Sequence, residues 1–179
     1  MPKLVEEATY SGGATVRSRE TPGGRRRQLE REDLAAWRAF LRAHAAVMRR
    51  LERDLVDTPL SLSEYDLLAT LVSAPEGTLR MKDLAERVLL TKSGITRLVD
   101  RLVERGFVAR QSCPVDRRGQ NAVVTDEGRA ALRRAARVHL PGVAAAFAAH
   151  LDARERDTLA EALERVASAN GAPLSGEVV

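Results

Sequence analysis

The chain has one cysteine, Cys113, among 179 residues, so no internal disulfide can form and nothing points to an oxidising compartment. Aromatic residues make up only 3% of the sequence against 44% hydrophobic residues in all, which leaves Ala, Leu and Val to build the core and points to a mainly helical protein. No apolar run is long enough to cross a bilayer, and no apolar stretch follows the first charges. The expectation is therefore a cytosolic protein with neither a membrane span nor a secretory signal. The three histidines, His44, His139 and His150, form no His-x-x-x-His pair, and there is no Cys pair and no Gly-rich phosphate loop. Those absences argue against a metal site and a nucleotide cofactor. Ser, His and Asp occur, but nothing in their spacing brings them together as a catalytic set. The reading is a protein without catalytic residues, metal or cofactor.

What is present is charge, unevenly placed. The net charge is +4 with a pI near 9.8, compatible with nucleic acid but too small to prove it. Between Arg80 and Arg118 there are ten Lys or Arg against five Asp or Glu, and the rest of the chain is close to balance. The basic excess is local.

Residues 1–32 contain two Gly-Gly pairs, scattered charges and almost no apolar periodicity, and are expected to be a flexible basic tail. Arg25, Arg26 and Arg27 read there either as DNA phosphate contacts or as a solvated charge run. From Asp33 the apolar residues Leu34, Trp37, Leu41, Ala45, Met48, Leu51 and Leu55 recur at helical spacing, which predicts a helix to about Asp57. Thr58 and Pro59 end it, and Ser63 with Asp66 resembles the cap of a second helix through Leu67, Leu68 and Leu71. Pro75 and Gly77 stop that helix. A short extended piece, Thr78 to Arg80, follows.

Next comes a compact pair of helices, MKDLAERV from Met81 and a second from about Lys92 to Arg105. Helix, short turn, helix is the unit that enters a major groove. The second helix turns Ile95, Leu98, Val99 and Leu102 inward, which leaves Lys92, Ser93, Thr96, Arg97 and Arg101 outside. Small polar residues allow close approach to base edges, while Lys and Arg bond phosphates or guanine. Gly106 is placed to end the helix through a left-handed residue. Phe107 to Cys113 then alternates as a strand, PVDRRG turns, and Gln120 to Val124 returns as a second strand. A hairpin carrying Asp116, Arg117 and Arg118 beside such a helix makes a winged helix, with the arginines shaped for the neighbouring minor groove and Asp116 bracing one of them.

The run LLTKSGITRLVDRLVERGFVAR, the Asp-x-Arg at Asp116 and Arg118, and VTDEGRAAL after it are similar to the MarR family of multiple-antibiotic-resistance regulators. The resemblance spans roughly residues 33 to 168. It implies a homodimeric winged-helix regulator, usually a repressor, that binds double-stranded DNA and is released by a small ligand or by oxidation. It also places the wing arginine at Arg118, with Asp116 as its partner, and helix contacts at Lys92, Ser93, Thr96 and Arg97.

The expected architecture is mainly α with a small β-wing, a winged helix-turn-helix plus a helical dimerisation lobe. Residues 33–59 form the first helix of that lobe, 60–125 the winged helix, 126–170 the C-terminal helices and 171–179 a flexible tail. Thr125 caps a long helix through Ala131, Leu132, Ala135, Val138 and Leu140, which Pro141 should kink or break in two. Asp152 opens a last helix with Leu159, Leu163 and Val166 on one face. These helices are expected to interlock between two subunits, intramolecular packing being the alternative. In relatives a pocket for aromatic carboxylates or phenolic compounds lies between lobe and winged helix. Trp37, Arg38, His44 and Tyr65 are the candidates to line it, Trp37 being readable also as core and His44 as a surface or satisfied histidine. Cys113, beside Arg110 and Arg117, raises a redox alternative or else ends a strand as a small buried residue. The peroxide-sensing branch carries its cysteine near the first helix, where this chain has none. A non-specific architectural DNA-binding protein, or a winged helix used for protein contacts, is the other class of reading.

Overall fold

The computed structural model describes residues 29–88, 92–112 and 120–171. Residues 1–38 and 39–179 form separate units. In the first, the described part is the opening of helix α1 (Arg31–Asp54), where Asp33 accepts the Glu30 amide at 3.0 Å and Leu34 and Trp37 are exposed.

The second unit is built round α2 (Leu62–Val72), which buries Leu62, Tyr65, Leu67, Leu68 and Leu71. Apolar residues lie nearly all round this helix, as expected of one enclosed by others. It packs against α5 (Asp126–Ala146), α3 (Met81–Arg87) and α4 (Lys92–Glu104). The cap of α2 is Ser61 rather than Ser63. Ser61 Oγ accepts the Glu64 amide, and the Glu64 carboxylate accepts the Ser61 amide at 2.9 Å. Starting two residues earlier puts Leu62 in the helix and inside the core, and a glutamate has the reach to close the box. α1 ends at Asp54, three residues before the expected Asp57. The chain tightens through Val56 N–H to Arg53 at 3.2 Å, and the Thr58 hydroxyl donates to the Leu55 carbonyl at 2.8 Å.

After a single turn, Pro75–Gly77, the extended piece becomes β1 (Thr78–Arg80). It pairs antiparallel with β3 (Gln120–Val124), which pairs on its other side with β2 (Val108–Ser112). The expected hairpin is thus two strands of a three-stranded sheet of order β1-β3-β2. Inside, Leu67, Leu68, Leu71, Leu84, Val99 and Leu102 have no accessible surface, and Ala131 and Ala135 of α5 close the same core. Small residues at those two positions let α5 lie near α2.

α5 is not broken in two at Pro141 but continues to Ala146. The proline faces outward, so the carbonyl it leaves without a donor can be solvated. Its neighbour Gly142 is buried, and a Cβ there would stand 3.1 Å from Leu51 Cδ2. A further single turn, Ala148–His150, leads to α6 (Ala153–Ala169), capped by Asp152 with Glu155 in a capping box. α6 has no buried residue. Among the described residues no helix is long and apolar enough to cross a membrane.

Candidate nucleic-acid interface

α3 and α4 pack together, with Leu84 of α3 and Ile95, Leu98, Val99 and Leu102 of α4 buried. The four α4 residues recur at intervals of three and one, so one face is sunk and the opposite face is committed to solvent. On that face Thr96, Arg97, Asp100 and Arg101 are exposed. Arg97 and Arg101 form no ion pair among the described residues, which leaves both cations available. Lys92 and Ser93 belong to the first turn of α4, and their side chains lie outside the description. Asp116, Arg117, Arg118 and Cys113 lie outside the described residues. The strands that lead to them do not: Ser112 pairs with Gln120, which sets the two ends of the 113–119 connection side by side.

Two charged contacts fix α4, and the sequence pattern names the partners of neither. In the first, Arg110 of β2 donates from Nη2 to Asp100 Oδ1 of α4 at 2.6 Å and from Nη1 to Gln120 Oε1 of β3 at 3.1 Å. The hairpin base is thereby fastened to the outward face of the helix. This occupies the guanidinium that the redox reading would set beside Cys113. Arg110 Nε is buried and has no hydrogen-bond partner among the described residues. In the second, Arg105 donates to Glu64 Oε2 at 3.0 Å and to the Pro59 carbonyl, and its guanidinium lies 4.7 Å from the centroid of the Phe107 ring. The one hint in the sequence was Asp100, an acid on the exposed side of a basic helix.

The hairpin joins α5 through a tight corner. Gly106, at φ +72°, ends α4 with the Phe107 amide bonded to the Leu102 carbonyl at 2.8 Å and the Gly106 amide to Val103 at 2.9 Å. Thr125 then bonds the same corner twice, through its amide to Phe107 at 3.1 Å and its hydroxyl to the Gly106 carbonyl at 2.7 Å. Its hydroxyl also accepts the Gly128 amide as the cap of α5. The threonine and glycine of VTDEG are therefore one joint.

The proposed pocket residues are differently placed. Trp37 and Arg38 fall in the first unit and are exposed. In the second unit His44 is exposed and its ring stacks with Phe40 at 6.1 Å. Tyr65 is buried, its ring centroid 4.1 Å from that of His139 on α5. Burial, and then the Asp66 carboxylate, push the Tyr65 hydroxyl up from its ordinary pKa, and burial pulls His139 down. His139 was not among the residues singled out, because on a helical wheel it reads as one more polar position. No group of three or more His, Cys, Asp or Glu side chains among the described residues can hold a metal ion.

The sequence profile of the MarR family matches residues 58–119. The structure of Sco3205 from Streptomyces coelicolor, a MarR family transcriptional regulator solved in complex with DNA, superposes with a TM-score of 0.75 at 34% identity over 82% of this chain and 96% of that one. The transcriptional repressor YetL of Bacillus subtilis is 32% identical over 63% of this chain and 67% of its own. The transcriptional regulator YkoM of the same organism is 29% identical over 72% of this chain and 82% of its own. With this extent of identity over a shared winged helix, the chain belongs to the MarR family of transcriptional regulators and is not an enzyme.

Proposed function

We propose that the protein is a homodimeric repressor that reads a pseudo-palindromic operator in double-stranded DNA and lets go of it when a small aromatic or anionic ligand binds. The observation that carries the reading is the outward face of α4, where Thr96, Arg97 and Arg101 stand exposed beside the β2–β3 hairpin. Each α4 enters a major groove, Arg97 and Arg101 supply base or phosphate contacts together with Lys92 and Ser93, and Arg117 and Arg118 reach the adjacent minor groove with Asp116 as a brace. The DNA in the Sco3205 complex and the repressor YetL support this direction. The second subunit is argued from apolar surface: Leu140, Phe147, Leu163 and Val166 are at least 38% exposed, and no residue of α6 is fully buried within the described part of its own chain. A helix whose apolar face stays exposed is expected to cover it with a second copy. For the effector, the support is the family resemblance and the position of Tyr65 and His139 between α2 and α5. A ligand wedged there would move the lobe against the winged helix.

Selection of bound duplexes from a random pool at moderate salt tests the reading. An inverted repeat with half-site centres about one helical turn apart is expected. Binding without a consensus would replace it with an architectural role, since phosphate contacts alone carry no sequence information.

A further inference from the structure

Amphipathic burial fixes which side of α4 faces the core, but it leaves the tilt of the helix weakly determined. Apolar contact is non-directional, and although close packing limits the movement of α4, it sets the angle of the helix less sharply than a directed bond does. A guanidinium fork has direction, because two parallel donors need two acceptors in fixed places. Arg105 is one residue beyond α4, and its fork lands on Glu64 Oε2 at 3.0 Å and on the Pro59 carbonyl. Both acceptors are held. The Glu64 side chain is only 8% exposed and also accepts the Ser61 amide at 2.9 Å, while Pro59 sits in the corner between α1 and α2. The Phe107 ring lies under the guanidinium at 4.7 Å. One side chain therefore ties the end of α4 to the start of α2 and to the corner that follows α1. Helix termination does not require it, since Gly106 and the bonds from Phe107 and Gly106 to Leu102 and Val103 already end α4.

We propose that Arg105 is a positioning residue for sequence readout: its fork on Glu64 and Pro59 sets the tilt at which Thr96, Arg97 and Arg101 meet the base edges. The inference rests on the reading of α4 as the recognition helix. It has a distinctive consequence, because base-edge bonds have strict geometry whereas flexible cations follow phosphates through a small displacement. Loss of the fork should cost specific binding and spare non-specific binding.

The test uses the full chain, the operator selected as above and a scrambled duplex of equal length, at a temperature where circular dichroism shows every variant folded. Arg105→Ala is expected to lose about tenfold in operator affinity, the scale of a coupling contact, with unchanged affinity for the scrambled duplex. Arg105→Lys keeps the charge and one bond but not the fork, and should fall between Arg105→Ala and the parent. Glu64→Gln retains the cap on Ser61 and weakens the pair, and should shift in the same sense; if Arg105→Ala does not fold, these two carry the comparison. Parent-like operator affinity in the variants overturns the proposal. So does an equal loss on both duplexes, which would make Arg105 a plain phosphate contact. Should the parent protein select no operator, the repressor reading fails, and amide exchange in the DNA-free protein decides the clamp separately. Faster exchange of residues 101–107 in Arg105→Ala supports it, and unchanged exchange overturns it.

Discussion

Gly128 is the third residue of α5, in helical conformation, and replacing it by alanine sets two effects of opposite sign against each other. Glycine to alanine inside a helix ordinarily gains about 1 kcal/mol. Here a Cβ would run into the Phe107 carbonyl oxygen and stand 3.1 Å from Val124 Cγ2. A flexible side chain can step aside, but Phe107 is backbone, and its carbonyl is already held by the Thr125 amide at 3.1 Å. α5 must move instead. Overpacking of this kind costs about 1–3 kcal/mol. The movement also stretches the Thr125 cap to Gly128, 3.0 Å long, a bond whose loss is worth roughly 1 kcal/mol. The net expectation for Gly128→Ala is destabilisation by about 2 kcal/mol. Urea unfolding followed by helical circular dichroism, at one fixed protein concentration because association adds to stability, reads it directly. Gly106→Ala is the contrast, since a Cβ there meets nothing within 4 Å among the described residues and its φ of +72° is what disfavours the change. A Gly128→Ala protein as stable as its parent or more so would refute the steric reading of the joint.

Leu163→Glu with Val166→Glu should leave the subunit folded, because these side chains are 38% and 60% exposed in one chain, yet yield monomers in sedimentation; an intact dimer would place the subunit contact elsewhere. Arg97→Ala should weaken operator binding and lower the slope of log K against log salt by about one per subunit if the contact is to phosphate, with an unaltered melting temperature; a collapsed melting temperature would show a structural role. Arg118→Ala should cost about 1–3 kcal/mol of operator binding if the wing makes a specific contact, and unchanged affinity in a filter or polarisation assay would remove that role. His139 has its pKa pulled below the ordinary 6.5 by burial, so on acidification the unfolded chain takes up the proton first and stability falls as pH drops below about 6.5. His139→Phe should keep the ring contact with Tyr65, remove a buried Nδ1 that has no hydrogen-bond partner among the described residues and flatten that fall; an identical pH profile of urea midpoints would count against it.

Where one physical rule decided the outcome, the sequence was enough to read it. The spacing of Ile95, Leu98, Val99 and Leu102 named the sunken face of α4, and all four are buried. Thr125 and Asp152 were legible as caps because a side-chain oxygen before a helix has a local target. Choices between near-equivalent local solutions were not legible. Ser61 and Ser63 each have an acid three residues on, and only the burial of Leu62 selects the first. Pro141 reads as a break, but its effect depends on whether its face of α5 meets solvent. Thr78–Arg80 is too short to announce a partner strand, and β3 supplied one from more than forty residues away. The Tyr65–His139 contact and both arginine clamps have the same character. They pair residues ten or more positions apart in the sequence, and no periodicity encodes which side chain a guanidinium will meet.

The local excess of cations shows why such pairing matters to function. Counted along the chain, the basic residues from Arg80 to Arg118 look like one electrostatic surface. In the fold they divide by task. Lys82 stands 3.9 Å from Glu86, Arg110 is bound to Asp100, and Arg105 is bound to Glu64. Arg97 and Arg101 remain without an ion-pair partner among the described residues. Of the acids in the segment, Asp100 is captured by Arg110 and Glu86 lies near Lys82, while Glu104 at the end of α4 stays exposed without an ion-pair partner among the described residues. An acid in the middle of that face repels phosphate and weakens the field where it has to act. Asp100 is on that face, and its capture by Arg110 solves two problems with one bond: it neutralises the offending charge and ties the hairpin to the helix. Arginine suits this purpose better than lysine because its second nitrogen reaches Gln120 while the first holds the carboxylate.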